Sequence, residues 1–179
     1  MNNLFILSLK LIRPLNLFLT CLTITCVSLL LNRFLFSEFY FSLLTASSFL
    51  IASNLLNDFL DKNADAINKP SEFLTLNQFN KNSILIFISS FYFIGVLSSF
   101  FIADFGQTIA LVIILPILIL YTKFLKRIPF LGNVCIGCIT AMVFPFTEAA
   151  LTNKISTMWI PFFLAAFLSI IRELAKDIE

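Results

Sequence analysis

Histidine is missing from the chain altogether. That removes the commonest general base and a frequent metal ligand, and it excludes Ser-His and Cys-His nucleophile pairs. Any metal site must then rely on Asp, Glu, Asn or cysteine, and oxygen ligands favour Mg²⁺, Ca²⁺ or Mn²⁺. Charge is scarce as well. Asp, Glu, Lys and Arg together make up 12% of the residues, where a soluble domain carries about 25%. With 59% hydrophobic residues and a mean hydropathy of +0.98, disorder is excluded and a soluble globule would have too little polar surface. A net charge of +2 supplies no basic face for nucleic acid, and no such partner is expected. The cysteines are Cys21, Cys26, Cys135 and Cys138. Cys135 and Cys138 form a CxxC, but its setting, GNVCIGCITAMVF, is apolar, with neither a second pair nor a histidine. It reads as small packing residues rather than a redox or zinc site. No cleavable leader is expected, because the first apolar stretch is long, has no A-x-A site and is followed by more of the same.

What is there is a series of apolar runs, at about 11–31, 39–60, 83–103, 105–121, 131–150 and 158–171. A membrane-spanning helix needs about 20 residues, so six would use about 120 of the chain. None of the runs alternates strictly, which argues against barrel strands. The expected fold is therefore all-α, a polytopic transmembrane helical bundle of six spans forming a single membrane domain over 1–179. Pro116 and Pro145 fall inside apolar runs, which neighbouring helices make tolerable. Ala46, Ser47, Ser48, Ala52 and Ser53 give the second span a small-residue face for close packing.

Charge placement sets the expected orientation. With a cytoplasmic N-terminus, Lys10, Arg13, Lys62, Lys69, Lys81, Lys123, Lys126, Arg127, Arg172 and Lys176 fall inside. Of the 12 basic residues only Arg33 and Lys154 fall outside. The expectation is a multi-pass protein of a bacterial or archaeal cell (inner) membrane.

The densest polar stretch, NLLNDFLDKNADAINKP over 54–70, follows the second run. Asn54 and Asp58 are four apart, Asp58 and Asp61 three, and Asp61 and Asp65 four. Those steps stack side chains on one helical face. Stacked carboxylates repel unless a cation lies between them, and a divalent metal does that with hard oxygen donors. A solvated helix end is the plainer explanation. Asn54 weighs against it, since a polar group within an apolar run is costly without a partner. YTKFLKRIPFLGN and IIRELAKDIE bring further charges to the same membrane face. Acids and cations gathered there suit a Mg²⁺-bound diphosphate with a lipid tail.

Four segments in order resemble the UbiA-type intramembrane prenyltransferases. RPLN at 13–16 resembles the Arg-Pro-x-Asn of the first helix. NLLNDFLDKNADAINKP resembles the first Asp-rich motif, YTKFLKRIPFLGN the Tyr-Ser-x-x-Leu-Lys-Arg loop, and RELAKDIE the start of the second Asp-rich motif. The resemblance implies a Mg²⁺-dependent transfer of a polyprenyl group from its diphosphate to a lipid or aromatic acceptor, among membrane lipids. It implies Asp58, Asp61 and Asp65 as Mg²⁺ ligands and Asp177 at a second Mg²⁺ site. Asn16, Asn54, Asn57, Lys69 and Lys123 would contact substrate. Lys126 and Arg127 would steady the diphosphate, and Tyr121 would lie near the developing allylic cation. DAINKP and RELAKDIE are most similar to the digeranylgeranylglyceryl phosphate synthase branch, which implies geranylgeranylglyceryl phosphate as acceptor.

The family fold normally has nine helices. The expectation is thus the N-terminal two-thirds of such a protein, truncated or split, with impaired activity and a companion chain supplying the remaining helices. Ser71, Glu72 and Phe73 stand where relatives continue Asp-Arg-Pro, so an acid replaces a base near the diphosphate. The alternatives are a small six-helix transporter and a non-catalytic membrane subunit. A transporter site usually lies at mid-membrane, whereas here the acids cluster at one face.

Overall fold

The structure, a computed structural model, describes residues 12–68, 80–128 and 130–176; side chains are described outside 62–68 and 176. The described residues form six helical rods: α1, Pro14–Leu30; α2, Ser37–Asn68; α3, Lys81–Ser99; α4, Asp104–Lys123; α5, Leu131–Thr152; and α6, Trp159–Lys176. All but α1 and α6 are long and apolar enough by composition to cross a membrane; α1 is a shorter apolar helix. The expected all-α bundle is what forms, and the chain is an integral membrane protein. The acid-rich stretch is helical, as its spacing implied. It continues α2 to Asn68, so the spacing of its acids is a true helical spacing.

The two intrahelical prolines leave visible marks. Pro116 has no N–H to close a helical turn and its ring crowds the preceding carbonyls. The chain relaxes by widening: Ile109–Ile114 is π-helical, and the Leu115 N–H reaches back to the Ala110 carbonyl. In α5 the regular helix breaks at Met142, three residues before Pro145, dividing it into Leu131–Ala141 and Val143–Thr152. Polar residues end α1. Asn32, at φ 53°, turns left-handed, and the N–H groups of Asn32 and Arg33 bond the carbonyls of Leu29 and Ser28.

The long α2 is the hub, touching α1, α3, the second half of α4 and the second half of α5, while α6 packs along the first half of α5. The small-residue face foreseen on α2 is buried at Ser48, Ala52 and Ser53, and Thr45 shares a 2.8 Å hydrogen bond with Ser98 of α3. Phe49, Ile109, Leu118, Phe146 and Ala149 form the main core. Gly106 lets α4 lie against α5. A Cβ there would come within 2.6 Å of the Ala150 nitrogen, which is backbone and cannot yield. Outward faces carry large apolar side chains such as Leu30, Ile86, Phe93, Val112, Ile160 and Phe167, as a lipid-facing surface requires. The four cysteines are unpaired and sit within α1 and α5.

Candidate functional site

A cavity of about 440 Å³ lies between α1, α2, α4, α5 and α6. Its polar mouth is made where these rods share one end: Arg13, Asn16, Asn54, Asn57, Tyr121, Arg172 and Glu173 line it. Further in, the charged groups give way to Phe49, Leu118, Ile139, Met142 and Phe146, interspersed with hydroxyl residues such as Thr23, Thr45 and Thr140. The site is thus amphipathic along its length. A second hollow of about 530 Å³ at the opposite end is a shallow, open depression lined by Asp104, Phe105 and Lys154, away from the acid-rich motif.

Among the described residues, three ion pairs lie at the mouth. Arg13 Nη2 donates to Asp58 Oδ1 at 2.7 Å, joining α1 to α2 across 45 residues of chain. The Asp58 side chain is only 4% exposed. Arg13 adopts a left-handed backbone, φ 55°, immediately before Pro14. That conformation costs about 1–2 kcal/mol for a non-glycine residue, and the charge-assisted bond it permits offsets the cost. Lys126 Nζ donates to Asp61 Oδ1 and, at 3.1 Å, to Asn57 Oδ1. A single 3₁₀ turn, Leu125–Arg127, folds Lys126 back onto α2. Arg172 donates to Glu173 on α6 through Nε and Nη2, at 3.0 and 2.8 Å.

The sequence-derived residues therefore divide. Asn16, Asn54, Asn57 and Tyr121 line the cavity, and Asp58, Asp61 and Lys126 pair beside it. Lys123 and Arg127 are exposed and are not part of the lining. Asp65 belongs to α2 by its backbone, but its side chain lies outside the described ones, as do Lys69, Glu72 and Asp177. Arg13, Arg172 and Glu173 were missed as site residues. Each sits inside a motif already singled out, RPLN or RELAKDIE, and an arginine three residues before an expected site asparagine was the available signal. Glu148 was missed too. It is 1% exposed and accepts bonds from the backbone N–H groups of Ser156, Thr157 and Met158 ahead of α6, and it is not part of the cavity lining.

Among the described residues two buried side-chain atoms have no hydrogen-bond partner, Tyr92 Oη and Nδ2 of Asn54; Asn54 is 8% exposed and lines the cavity, Tyr92 does not. A buried donor left unsatisfied costs about 1–3 kcal/mol, and the Asn54 donor is available to an acceptor that enters the cavity. Among the described residues no group of three or more acids and cysteines converges on a metal. Mg²⁺, however, is commonly held by one or two carboxylates together with substrate phosphates, keeping waters for the rest. Asp58 and Asp61, with the Asn57 carboxamide oxygen, are hard donors of that kind and fit the ion.

The sequence profile described as the UbiA prenyltransferase family matches residues 11–179. The chain belongs to the UbiA prenyltransferase family. It is 36% identical over 129 residues to the digeranylgeranylglyceryl phosphate synthase of Methanosarcina mazei, covering 72% of this chain and 44% of that one. It is 33% identical over 140 residues to the enzyme of that name from Methanoregula boonei, covering 76% and 50%. The match to the Methanopyrus kandleri synthase, 26% identical, extends over 96% of this chain and 62% of the relative. A solved structure concerned with digeranylgeranylglyceryl phosphate synthase in membranes superposes with a TM-score of 0.80 at 27% identity, covering 98% of this chain and 63% of that one. The chain spans about half the length of the first two of these relatives. Family membership sets it among prenyltransferases rather than transporters.

Proposed function

We propose that this UbiA-family chain carries out Mg²⁺-dependent transfer of a prenyl group from its diphosphate to the hydroxyl of a glycerophosphate lipid, the acceptor class of the synthases it resembles. The observation that carries the reading is the amphipathic cavity, whose mouth holds acids and cations in matched pairs. Asp58 faces Arg13, Asp61 faces Lys126, and Glu173 faces Arg172. A lone anion would have to break a pair and leave an acid behind, and a lone cation the reverse. A metal–diphosphate pair satisfies both halves.

Asp58 and Asp61, with Asp65 following on the same face of α2, would hold Mg²⁺, which when bound neutralises charge on the diphosphate. Arg13 and Lys126 turn from their carboxylates to the phosphate oxygens, and Asn54 Nδ2 donates to the same group. These donors stabilise the negative charge that grows as the allylic C1–O bond breaks. The acceptor's hydroxyl oxygen bonds to C1, and its proton leaves to the departing diphosphate. Tyr121, at the junction of polar mouth and apolar depth, faces the carbocation side of that bond. The apolar walls hold the tail and keep out water that would capture the cation. On this reading the membrane is the cell membrane of a prokaryote; the bias of Lys and Arg toward one face supports a cytoplasmic mouth for the cavity.

The test pairs Asp58→Asn with Asp61→Asn and titrates Mg²⁺ against binding of a thiolo-diphosphate analogue of geranylgeranyl diphosphate. Loss of the Mg²⁺-dependent component, with helicity unchanged, is the expected result. Undiminished binding would remove the site. Binding by the wild-type chain without any prenyl transfer would leave a non-catalytic lipid-diphosphate pocket and end the transferase reading.

A further inference from the structure

Asp58 and Asp61 pair with Arg13 and Lys126 beside the cavity, and neither is part of its wall. Among the described residues that do line it, one carries a carboxylate: Glu173 of α6. The packing of α6 turns that group inward. Gly137 of α5 admits α6 so closely that a Cβ there would come within 3.1 Å of the Ile170 nitrogen and 3.2 Å of the Ala166 carbonyl oxygen. Ile170 thus lies on the side of α6 that meets α5, and Glu173, three positions on, shares that side. Its side chain is 20% exposed, against 60% for its neighbour Arg172. Arg172 donates through both Nε and Nη2 to Oε1, which fixes the carboxylate. A carboxylate accepts at about four lone-pair sites, so it takes a hydroxyl alongside these bonds. Tyr121 of α4 is within electrostatic reach of Glu173, and also of Arg13 and Asp61. Glu173 therefore borders the same polar mouth from the wall opposite the acid-rich helix in sequence and in charge environment.

We infer that Glu173 is the base that takes the proton from the acceptor's hydroxyl group. The inference rests on the prenyl-transfer reading above and assigns one further residue to it. An alcohol that attacks C1 must lose its proton, and the other polar groups of the wall are hydroxyls, carboxamides and guanidinium groups, none of which is a base at neutral pH. A diphosphate neutralised by cations is a poor base until it is released. The hydroxyl becomes acidic only as its oxygen bonds to the allylic cation, so a carboxylate is base enough. As the acceptor oxygen bonds to C1, the C1–O bond to the diphosphate breaks and its electron pair leaves with the diphosphate. The hydroxyl O–H bond breaks in the same event, and the proton goes to a Glu173 carboxylate oxygen. The departing diphosphate carries that proton away, which returns Glu173 to its charged form.

The experiment compares wild type, Glu173→Gln and Glu173→Asp in detergent with Mg²⁺. Glu173→Gln keeps the shape and an acceptor oxygen but is no base. Single-turnover transfer from geranylgeranyl diphosphate to geranylgeranylglyceryl phosphate should slow by about 10²–10⁴-fold. Affinity for the thiolo-diphosphate donor analogue should stay within about threefold of wild type, on the order of half a neutral hydrogen bond. Glu173→Asp draws the base back by one methylene and should give a rate between the two. A second readout needs no turnover. With the donor analogue bound, wild type should hold the acceptor alcohol about tenfold more tightly than its deoxy analogue, the value of a hydrogen bond to a charged group. Glu173→Gln should reduce that preference to about threefold, the value of a neutral one. Transfer by Glu173→Gln at the wild-type rate overturns the inference and leaves the functional reading standing. So does a slow variant that keeps the full preference for the alcohol, or one that loses Mg²⁺-dependent donor binding, since Glu173 would then serve the metal. A wild-type chain that binds the donor analogue no better than pyrophosphate, or transfers no prenyl group, overturns both. If Glu173→Gln lacks the wild-type thermal transition, Glu173→Asp decides. Slower transfer at unchanged donor affinity is then expected, and the wild-type rate overturns the inference.

Discussion

Glu148 offers the sharpest test of how the bundle is held together. It lies within α5, yet its carboxylate accepts from Ser156 N at 2.9 Å, Ser156 Oγ at 2.8 Å, Thr157 Oγ1 at 3.0 Å and Met158 N at 3.0 Å. The Thr157 N–H sits 3.2 Å from each carboxylate oxygen. Those three backbone donors precede α6, so the acid both satisfies the turn and places negative charge at the positive end of that helix. Glu148→Gln keeps one acceptor oxygen, which can serve the backbone donors, while the two hydroxyls reorient to accept from the new amide. What is lost is charge assistance, which roughly doubles each bond; the cost is about 2 kcal/mol. Glu148→Ala leaves the Met158 N–H, on a buried residue, without an acceptor and exposes the other two to water, and costs about 4 kcal/mol. For a chain of this size about 3 °C is lost per kcal/mol. Thermal unfolding in micelles, followed by circular dichroism, should then show Tm falling by about 6 °C and about 12 °C respectively. Pyrophosphate affinity should not change, because Glu148 is not part of the cavity lining. A Tm for Glu148→Gln indistinguishable from wild type, or equal losses for both variants, would refute the argument.

Two further outcomes follow from the packing and the site. Gly106→Leu should destabilise the bundle by about 3 kcal/mol or prevent folding, because the new side chain meets Ala150 backbone; a Tm within 2 °C of wild type, on the order of 1 kcal/mol or less, would contradict this. Asn54→Leu should leave Tm unchanged or raise it, since the lost Nδ2 has no protein partner. The same change should weaken pyrophosphate binding about tenfold, the value of one hydrogen bond to a charged group. Isothermal titration would show whether binding and stability part company in this way.

Much of the architecture was legible because a bilayer makes two demands that leave a direct trace in sequence. Each span must be long enough to cross, and every backbone group within it must be satisfied internally. Runs of the right length without alternation could therefore only be helices. The three acids of α2 were legible for a geometric reason, since steps of three and four share a helical face. Pairing was not legible. Lys123, Lys126 and Arg127 lie within five positions of one another, and nothing in their order says that the 3₁₀ turn carries only Lys126 to Asp61 while the other two remain exposed. Glu148 could have been noticed as a carboxylate inside an apolar run, which is costly unless paired. Its partners are the N–H groups of the following loop, and they carry no signature in side-chain identity.

Composition and spacing alone determined that this chain is a membrane helical bundle with a carboxylate-rich face, because hydropathy and helical period are local properties of consecutive residues. Only the tertiary structure decided that Arg13 closes on Asp58, that the buried Asn54 Nδ2 is left without a partner, and that Phe49 and Phe146 among the 23 phenylalanines line the cavity. Those depend on which rods lie side by side. That choice is made by close approach at Gly95 and Gly106 and by charges meeting across long stretches of chain, terms that exist only once the helices have packed.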